Sequence, residues 1–216
     1  MIINIFGATG LVGGHLLERC LQHPDVTEVK VFVRKPIALQ HTKLVQITTD
    51  FAGLEQVRNR ISGDVVFNCL GTTLRQAGSQ AAQYAVDCEY PVKVAQLAAA
   101  NGVPCMVSVS SVGASPTGNF YLKTKADMEQ GVQKAIGKRA YFMRPSFILG
   151  NRKNFRPAEK VGIVLMTGIN PLLWGALRKY RSIHAEKIAT AMLQVALKQP
   201  ESPVIFHYDD IQSVLV

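Results

Sequence analysis

Short apolar runs alternate along the chain with longer stretches whose apolar residues recur every three or four positions. Ile2-Ile3-Asn4-Ile5-Phe6 reads as a strand, and Leu11 to Leu21 has helical spacing. Val29 to Val33 and Leu44 to Ile47 are the next strands, with a short helical piece from Leu54 to Arg60. Asp64 to Leu70 is the fourth strand, and a long Ala-rich helix covers 79–100. Cys105 to Val109 is the fifth strand, a helix runs from Phe120 to Ile136, and Ala140 to Met143 is the sixth strand. A helix from His184 to Lys198, a strand from Val204 to Tyr208 and a short tail complete the chain. The strands are short and rich in Val, Ile and Phe, as expected where helices cover both faces of a parallel sheet. Alternation of strand and helix predicts a doubly wound α/β fold.

The rhythm changes after Pro145. Residues 151–181 hold seven cations (Arg152, Lys153, Arg156, Lys160, Arg178, Lys179, Arg181) against Glu159, a net of +6 out of +9 for all 216 residues. Val161 to Leu177 within it is a run of 17 almost wholly apolar residues. A bilayer crossing needs about 20. Gly162, Gly168 and Asn170-Pro171 should split the run, so a transmembrane span is not expected. The expectation is a small helical C-terminal cap over 151–182, two short helices closing the substrate side with Trp174 at least partly buried. Plain core packing, or weak contact with an anionic membrane surface, are the alternatives. The whole of 1–216 is expected to be one domain.

Apolar residues make up 48% of the chain, which excludes a disordered protein. The charge excess draws anions, but there is no basic helix with base-reading residues and no exposed aromatic platform, so nucleic acid is not an expected partner. Cys20, Cys69, Cys88 and Cys105 contain no C-x-x-C pair, and His15, His23, His41, His184 and His207 form no spaced ligand set. No metal site is expected. The N-terminus runs straight into a strand with no signal-like segment, which makes the cytoplasm the default.

Candidate chemistry gathers at strand ends. Gly7-Ala8-Thr9-Gly10-Leu11-Val12-Gly13-Gly14 follows the first strand. Its first glycine permits a tight turn, its second a close approach to a diphosphate, and its third packing of helix on strand. The diphosphate then sits at a helix N-terminus, as in the Rossmann-type fold. Arg34 and Lys35 end the second strand, where a carboxylate would favour NAD. Two cations there suit the 2′-phosphate of NADP(H). Asp50 and Phe51 are candidates to hold the adenine, or Asp50 is simply a helix N-cap. Leu70 and Gly71 end the fourth strand beside the expected crevice. Arg144-Pro145-Ser146-Phe147 follows the sixth, where backbone groups, at Pro145 for example, would meet a carboxamide. Tyr121 and Lys125 share a helix face ten or more residues beyond Ser110-Ser111. A phenol beside an ammonium, with a serine hydroxyl polarising a carbonyl, can shuttle a proton while a nicotinamide moves hydride.

G-A-T-G-L-V-G, C-L-G-T-T, S-S-V-G-A, Y-L-K-T-K and R-P-S-F-I-L-G in that order resemble an atypical short-chain dehydrogenase/reductase. More narrowly they are similar to the Tat-interacting-protein-like oxidoreductases and their bacterial relatives. The resemblance implies about seven parallel strands and a preference for NADP(H) over NAD(H). It places the dinucleotide along Gly7, Thr9, Gly10, Leu11 and Val12, then Arg34 and Lys35, then Leu70 and Gly71. It makes Ser111 (or the adjacent Ser110), Tyr121 and Lys125 catalytic, with Lys125 also on the nicotinamide ribose. Asp87 stands where many extended members carry an asparagine. The expected function is an NADP(H)-dependent oxidoreductase of a small or hydrophobic carbonyl or alcohol. The alternative is a non-catalytic NADPH-binding regulator.

Overall fold

The computed structural model describes residues 1–150 and 170–215. Its main sheet is built from β1 (Ile2–Phe6), β2 (Glu28–Val33), β3 (Leu44–Thr48), β4 (Val65–Asn68), β5 (Met106–Val109), β6 (Ala140–Met143) and β9 (Ile205–Phe206). The spatial order is β3-β2-β1-β4-β5-β6-β9, with every pair parallel. Sequential strands run outward from β1 on one side and from β4 on the other. The reversal between them opens a crevice at the carboxyl ends, where doubly wound sheets bind ligands. A two-residue parallel ladder joins β7 (Ile148–Leu149) to β8 (Ile183–His184).

Both faces of the sheet are covered, which explains the unbroken apolar strands. On one face, α1 (Leu11–Gln22) and α6 (Ala185–Lys198) bury Leu16, Leu17, Cys20, Ile188, Met192 and their neighbours against Ile3, Ile5, Val29 and Val31. On the other, α4 (Tyr90–Ala100) and α5 (Phe120–Ile136) bury Val94, Leu97, Met128 and Val132 against Phe6, Val66 and Met106. Phe6 and Phe32 stack across β1 and β2 with ring centroids 4.3 Å apart.

Several expected elements take a different form. The piece at 54–60 is a 3-10 helix over Phe51–Arg60, capped by Asp50, whose Oδ1 accepts from the Gly53 N–H at 2.8 Å. The N-cap reading of Asp50 is therefore realised. The expected 79–100 helix starts as α3 (Gln80–Tyr84) after a short α2 (Leu74–Ala77), and passes into α4 through a π-helical turn, Ala85–Glu89. The last strand keeps two residues, because His207 and Tyr208 turn the chain into α7 (Tyr208–Ser213). Of the expected cap, 151–169 lies outside the described residues. Asn170–Leu172 and Gly175–Tyr180 are short 3-10 turns. Trp174 is 75% exposed, which overturns its expected burial.

His207 is half-buried at the start of α7, where its N–H donates to Asp210 Oδ2. Burial, then the Arg144 guanidinium, holds its imidazole below the ordinary 6.5. The unfolded chain therefore binds the proton more readily than the native one. Stability contributed by neutral His207 is complete above pH 6.5 and is lost as pH falls below it. Denaturant melts from pH 7.5 to 5 should show this loss, and His207→Gln should flatten it.

The glycines of α1 make a sharper test. A Cβ on Gly13 would lie 2.1 Å from the Gly7 carbonyl oxygen, whereas one on Gly14 would meet nothing nearer than 3.8 Å. Gly13→Ala should destabilise the fold by about 1–3 kcal/mol through forced backbone movement. Gly14→Ala should stabilise it by up to about 1 kcal/mol through helix propensity. Urea midpoints of the two variants should move in opposite directions.

Candidate functional site

The crevice begins at the turn between β1 and α1. Gly7 has φ +86, a left-handed conformation that L side chains rarely adopt. A Cβ there would also sit 2.6 Å from the Cys69 carbonyl at the end of β4. The turn thus lies directly on the neighbouring strand, and the Cys69 N–H donates to Phe6 O at 2.8 Å. Gly10 caps α1 without any side-chain hydrogen bond, and no acid occupies the first turn. Thr9 and Gly10 are exposed, Leu11 is half-buried, and the Val12 side chain belongs to the core. The result is a helix N-terminus with nothing of its own to neutralise its dipole, which suits an anion.

Beside it, Thr9, Val33, Arg34 and Lys35 line a cleft of about 450 Å³. Arg34 and Lys35 are both exposed at its edge. A second hollow of about 480 Å³ lies between α4 and α5, and includes none of the predicted site residues.

Across the crevice, α5 carries the candidate side chains Tyr121 and Lys125. Asn119 caps it, with Oδ1 accepting from the Leu122 N–H at 3.0 Å. That start places Tyr121 in the first turn, Lys125 one turn on and Glu129 one turn further. Tyr121 is 37% exposed, while Lys125 is 3% exposed with its Nζ 5.9 Å from the Tyr121 ring centroid. Lys125 Nζ lies 2.6 Å from Oδ1 of Asp87, itself 1% exposed. The second carboxylate oxygen of Asp87 accepts from the Thr72 N–H at 3.1 Å. A Cβ on Gly71 would come within 3.5 Å of Asp87 and 4.0 Å of Lys125. The end of β4, the helix after it and α5 therefore meet at one buried ion pair. Asp87 reaches this place from the π-helical turn, whose extra residue re-aims side chains and is frequent at functional sites.

One turn beyond, Glu129 accepts two hydrogen bonds from the Arg144 guanidinium at the end of β6, Nε to Oε1 at 2.8 Å and a second from its terminal nitrogen to Oε2. Sequence reasoning missed this pair, since 15 residues separate its members and only the β6–α5 packing joins them.

The two serines differ. Ser110 is buried, its N–H donating to Met143 O at 2.7 Å and its hydroxyl without a hydrogen-bond partner among the described residues. Ser111 is half-buried, and its hydroxyl makes a 3.3 Å bond to the Val112 carbonyl. Pro145 is buried and its carbonyl accepts from the Val112 N–H at 2.9 Å, so that oxygen is already engaged. Leu70 is buried under the loop, with its N–H donating to Asn68 Oδ1.

All four cysteines are free thiols, and burial pushes Cys69 and Cys105 up to about 12. They are protonated at neutral pH. Among the described residues no group of three or more His, Cys, Asp or Glu is placed to hold a metal, and no helix is long and apolar enough to cross a membrane.

Comparison with known proteins agrees with this architecture. Protein fmp52, mitochondrial, of Aspergillus clavatus is 32% identical over 212 residues, covering 94% of this chain and 89% of that protein. Protein HTATIP2 of Rattus norvegicus is 33% identical over 162 residues, covering 73% and 66%. Among solved structures, the Bordetella bronchiseptica enzyme WbmH in complex with NAD+ superposes with a TM-score of 0.73 at 15% identity, covering 96% of this chain and 75% of that one. MoeE5 in complex with UDP-glucose and NAD gives 0.69 at 16% identity, covering 99% and 80%. The fungal relatives are named mitochondrial proteins, which corrects the cytoplasmic expectation drawn from the N-terminus. The resemblance read from the ordered motifs holds, since residues 3–206 match a family profile. The chain belongs to the NAD-dependent epimerase/dehydratase family.

Proposed function

We propose that the protein is an NADP(H)-dependent oxidoreductase acting on a small or hydrophobic carbonyl or alcohol. The observation that carries the reading is the buried Lys125–Asp87 pair one helical turn from the half-exposed Tyr121. A buried ammonium fixed by a carboxylate beside a solvent-facing phenol is an arrangement for moving protons, and simple packing does not require it.

The glycine turn fits a dinucleotide, because Gly7 and Gly13 permit a backbone-on-backbone approach that leaves the uncapped start of α1 beside the end of β4. Gly7, Thr9, Gly10, Leu11 and Val12 would hold the diphosphate at the start of α1. Arg34 and Lys35 would pair with the 2′-phosphate, and the turn at Asp50 would border the adenine. Leu70, Gly71 and the Pro145 loop would border the nicotinamide, and Tyr121 and Lys125 its ribose. When bound, the nicotinamide supplies or accepts hydride. Tyr121 gives its phenolic proton to the substrate oxygen in reduction and takes it back in oxidation. Ser111 donates a hydrogen bond to the same oxygen. The Lys125 ammonium stabilises the negative charge left on Tyr121. Asp87 holds that ammonium in place and ties it to the loop after β4 through Thr72.

Two predictions follow from these roles. NADPH should bind at least about tenfold tighter than NADH, a gap of about 1.4 kcal/mol, and Arg34→Ala should narrow it. Fluorescence titration of both cofactors measures this, and equal affinities in the parent protein overturn the NADP(H) preference.

Tyr121→Phe should cut turnover by about 10²–10⁴-fold while cofactor affinity survives. Lys125→Ala should harm folding as well as catalysis, because it leaves the Asp87 carboxylate buried and unpaired, at a cost of about 3–5 kcal/mol. Adding Asp87→Asn to Lys125→Ala should recover stability without recovering turnover. Activity that persists in Tyr121→Phe removes the catalytic assignment of Tyr121 in favour of another proton donor, and absence of turnover in the parent protein favours the non-catalytic NADPH-binding regulator.

A further inference from the structure

Between the end of β4 and the start of α3 the chain makes a short detour that the core does not hold. α2 buries no residue, and residues 73–76 and 78–80 are exposed. The detour is bonded to itself. The Gln76 and Ala77 N–H groups donate to the Thr73 carbonyl, and the Gly78 N–H donates to the Leu74 carbonyl, each at 2.9 Å. Thr73 Oγ1 caps the turn by accepting from the Gln76 N–H at 3.3 Å. Gly78 ends it in the left-handed region at φ +83, with nothing within 4 Å of where a Cβ would stand. A self-bonded turn with no buried side chain keeps its shape while it swings, and such segments open at small cost.

Both of its ends are tied down. The Thr72 peptide is held by two side chains. Its N–H donates to Asp87 Oδ2 at 3.1 Å, and its carbonyl accepts from Nε2 of the buried Gln83 at 3.4 Å. Asp87 is the same carboxylate that holds Lys125. At the far end, Ser79 Oγ accepts from the Ala82 N–H at 3.1 Å and fixes the start of α3. The detour is therefore hinged beside the buried Lys125–Asp87 pair, at the carboxyl end of β4 where the crevice opens.

Its side chains are unlike those of a merely solvated loop. Leu74 is 49% exposed. Arg75 beside it is exposed and has no ion-pair partner among the described residues. A leucine and an arginine on one swinging turn match a ligand made of flat rings and phosphates.

We propose that Thr73–Gly78 is a flap that closes over the dinucleotide in the crevice, with Leu74 as the residue that covers it and Thr72 as the hinge. The inference rests on the dinucleotide reading of the Gly7 turn and of Arg34 and Lys35. Closure shields the site from water, and release of the dinucleotide then requires the flap to open. Asp87 grips the hinge and Lys125 together, so the flap and the lysine share one anchor.

Arg75 places a trypsin cleavage site within the flap. Full-length protein is digested briefly with and without saturating NADPH, or NADH where that binds tighter, and the fragment ending at Arg75 is followed by mass spectrometry. Cleavage after the exposed Lys198, at the end of α6, serves as the reference. The expected result is cleavage after Arg75 slowed at least about fivefold by the dinucleotide, with cleavage after Lys198 unchanged. Leu74→Ala should speed dissociation of the dinucleotide by about fivefold in stopped-flow fluorescence and leave its association rate unchanged. Its thermal melt should match that of the parent, because Leu74 is exposed. A dinucleotide that binds without slowing cleavage after Arg75 overturns the flap and leaves the oxidoreductase reading standing, and so does an unchanged dissociation rate in Leu74→Ala. Failure of both dinucleotides to bind overturns the flap together with that reading.

Discussion

Backbone must touch backbone where β1 ends, and the placement of everything else at the crevice depends on that contact. The Gly7 turn rests on the Cys69 carbonyl of β4, and α1 closes over the Gly7 carbonyl at Gly13 with no space for a side chain at either point. This brings the start of α1 to the line where the sheet reverses its winding order. The uncapped start of α1, the basic end of β2 and the polar end of β4 then share one rim. Loosening the contact by one methyl group would displace all three together.

The opposite wall of the crevice is polar. Tyr121, Lys125 and Glu129 form a stripe along α5 in which a phenol, a cation and an anion follow one another at one-turn intervals. Lys125 and Glu129 each find an opposite charge on another element, Asp87 from the π-helical turn and Arg144 from β6. Buried pairs of this kind add little net stability over apolar packing, but they penalise any shift that separates the partners. They therefore fix α5 against its neighbours, whereas an apolar seam would permit sliding.

Much of this was legible in the residues. The six apolar runs up to Met143 mark the strands within a residue or two at most ends, because strands covered on both faces carry no competing polar signal. Gly7, Gly10 and Gly13 declared the tight turn through their place between the first strand and the first helix, since their spacing alone is a weak signal. Less was legible where long-range packing decides. Ala85–Glu89 has ordinary helical composition, so nothing local announces the π-helical turn that aims Asp87. Glu129 and Arg144 look like separate surface charges until β6 and α5 are docked. Trp174 misled for a related reason. An apolar run reads as core, and hydropathy does not say which side of the run the rest of the chain covers.

The small β7–β8 ladder gives the far side of the molecule a distinct character. It sets Ile148 beside Ile183 and Leu149 beside His184, so two points distant in sequence are held side by side. Closing an excursion between two adjacent anchors carries an entropy that grows only with the logarithm of its length. The ladder is a ready-made graft point for engineering, because a segment inserted between its two strands would start and end at one place on the molecule.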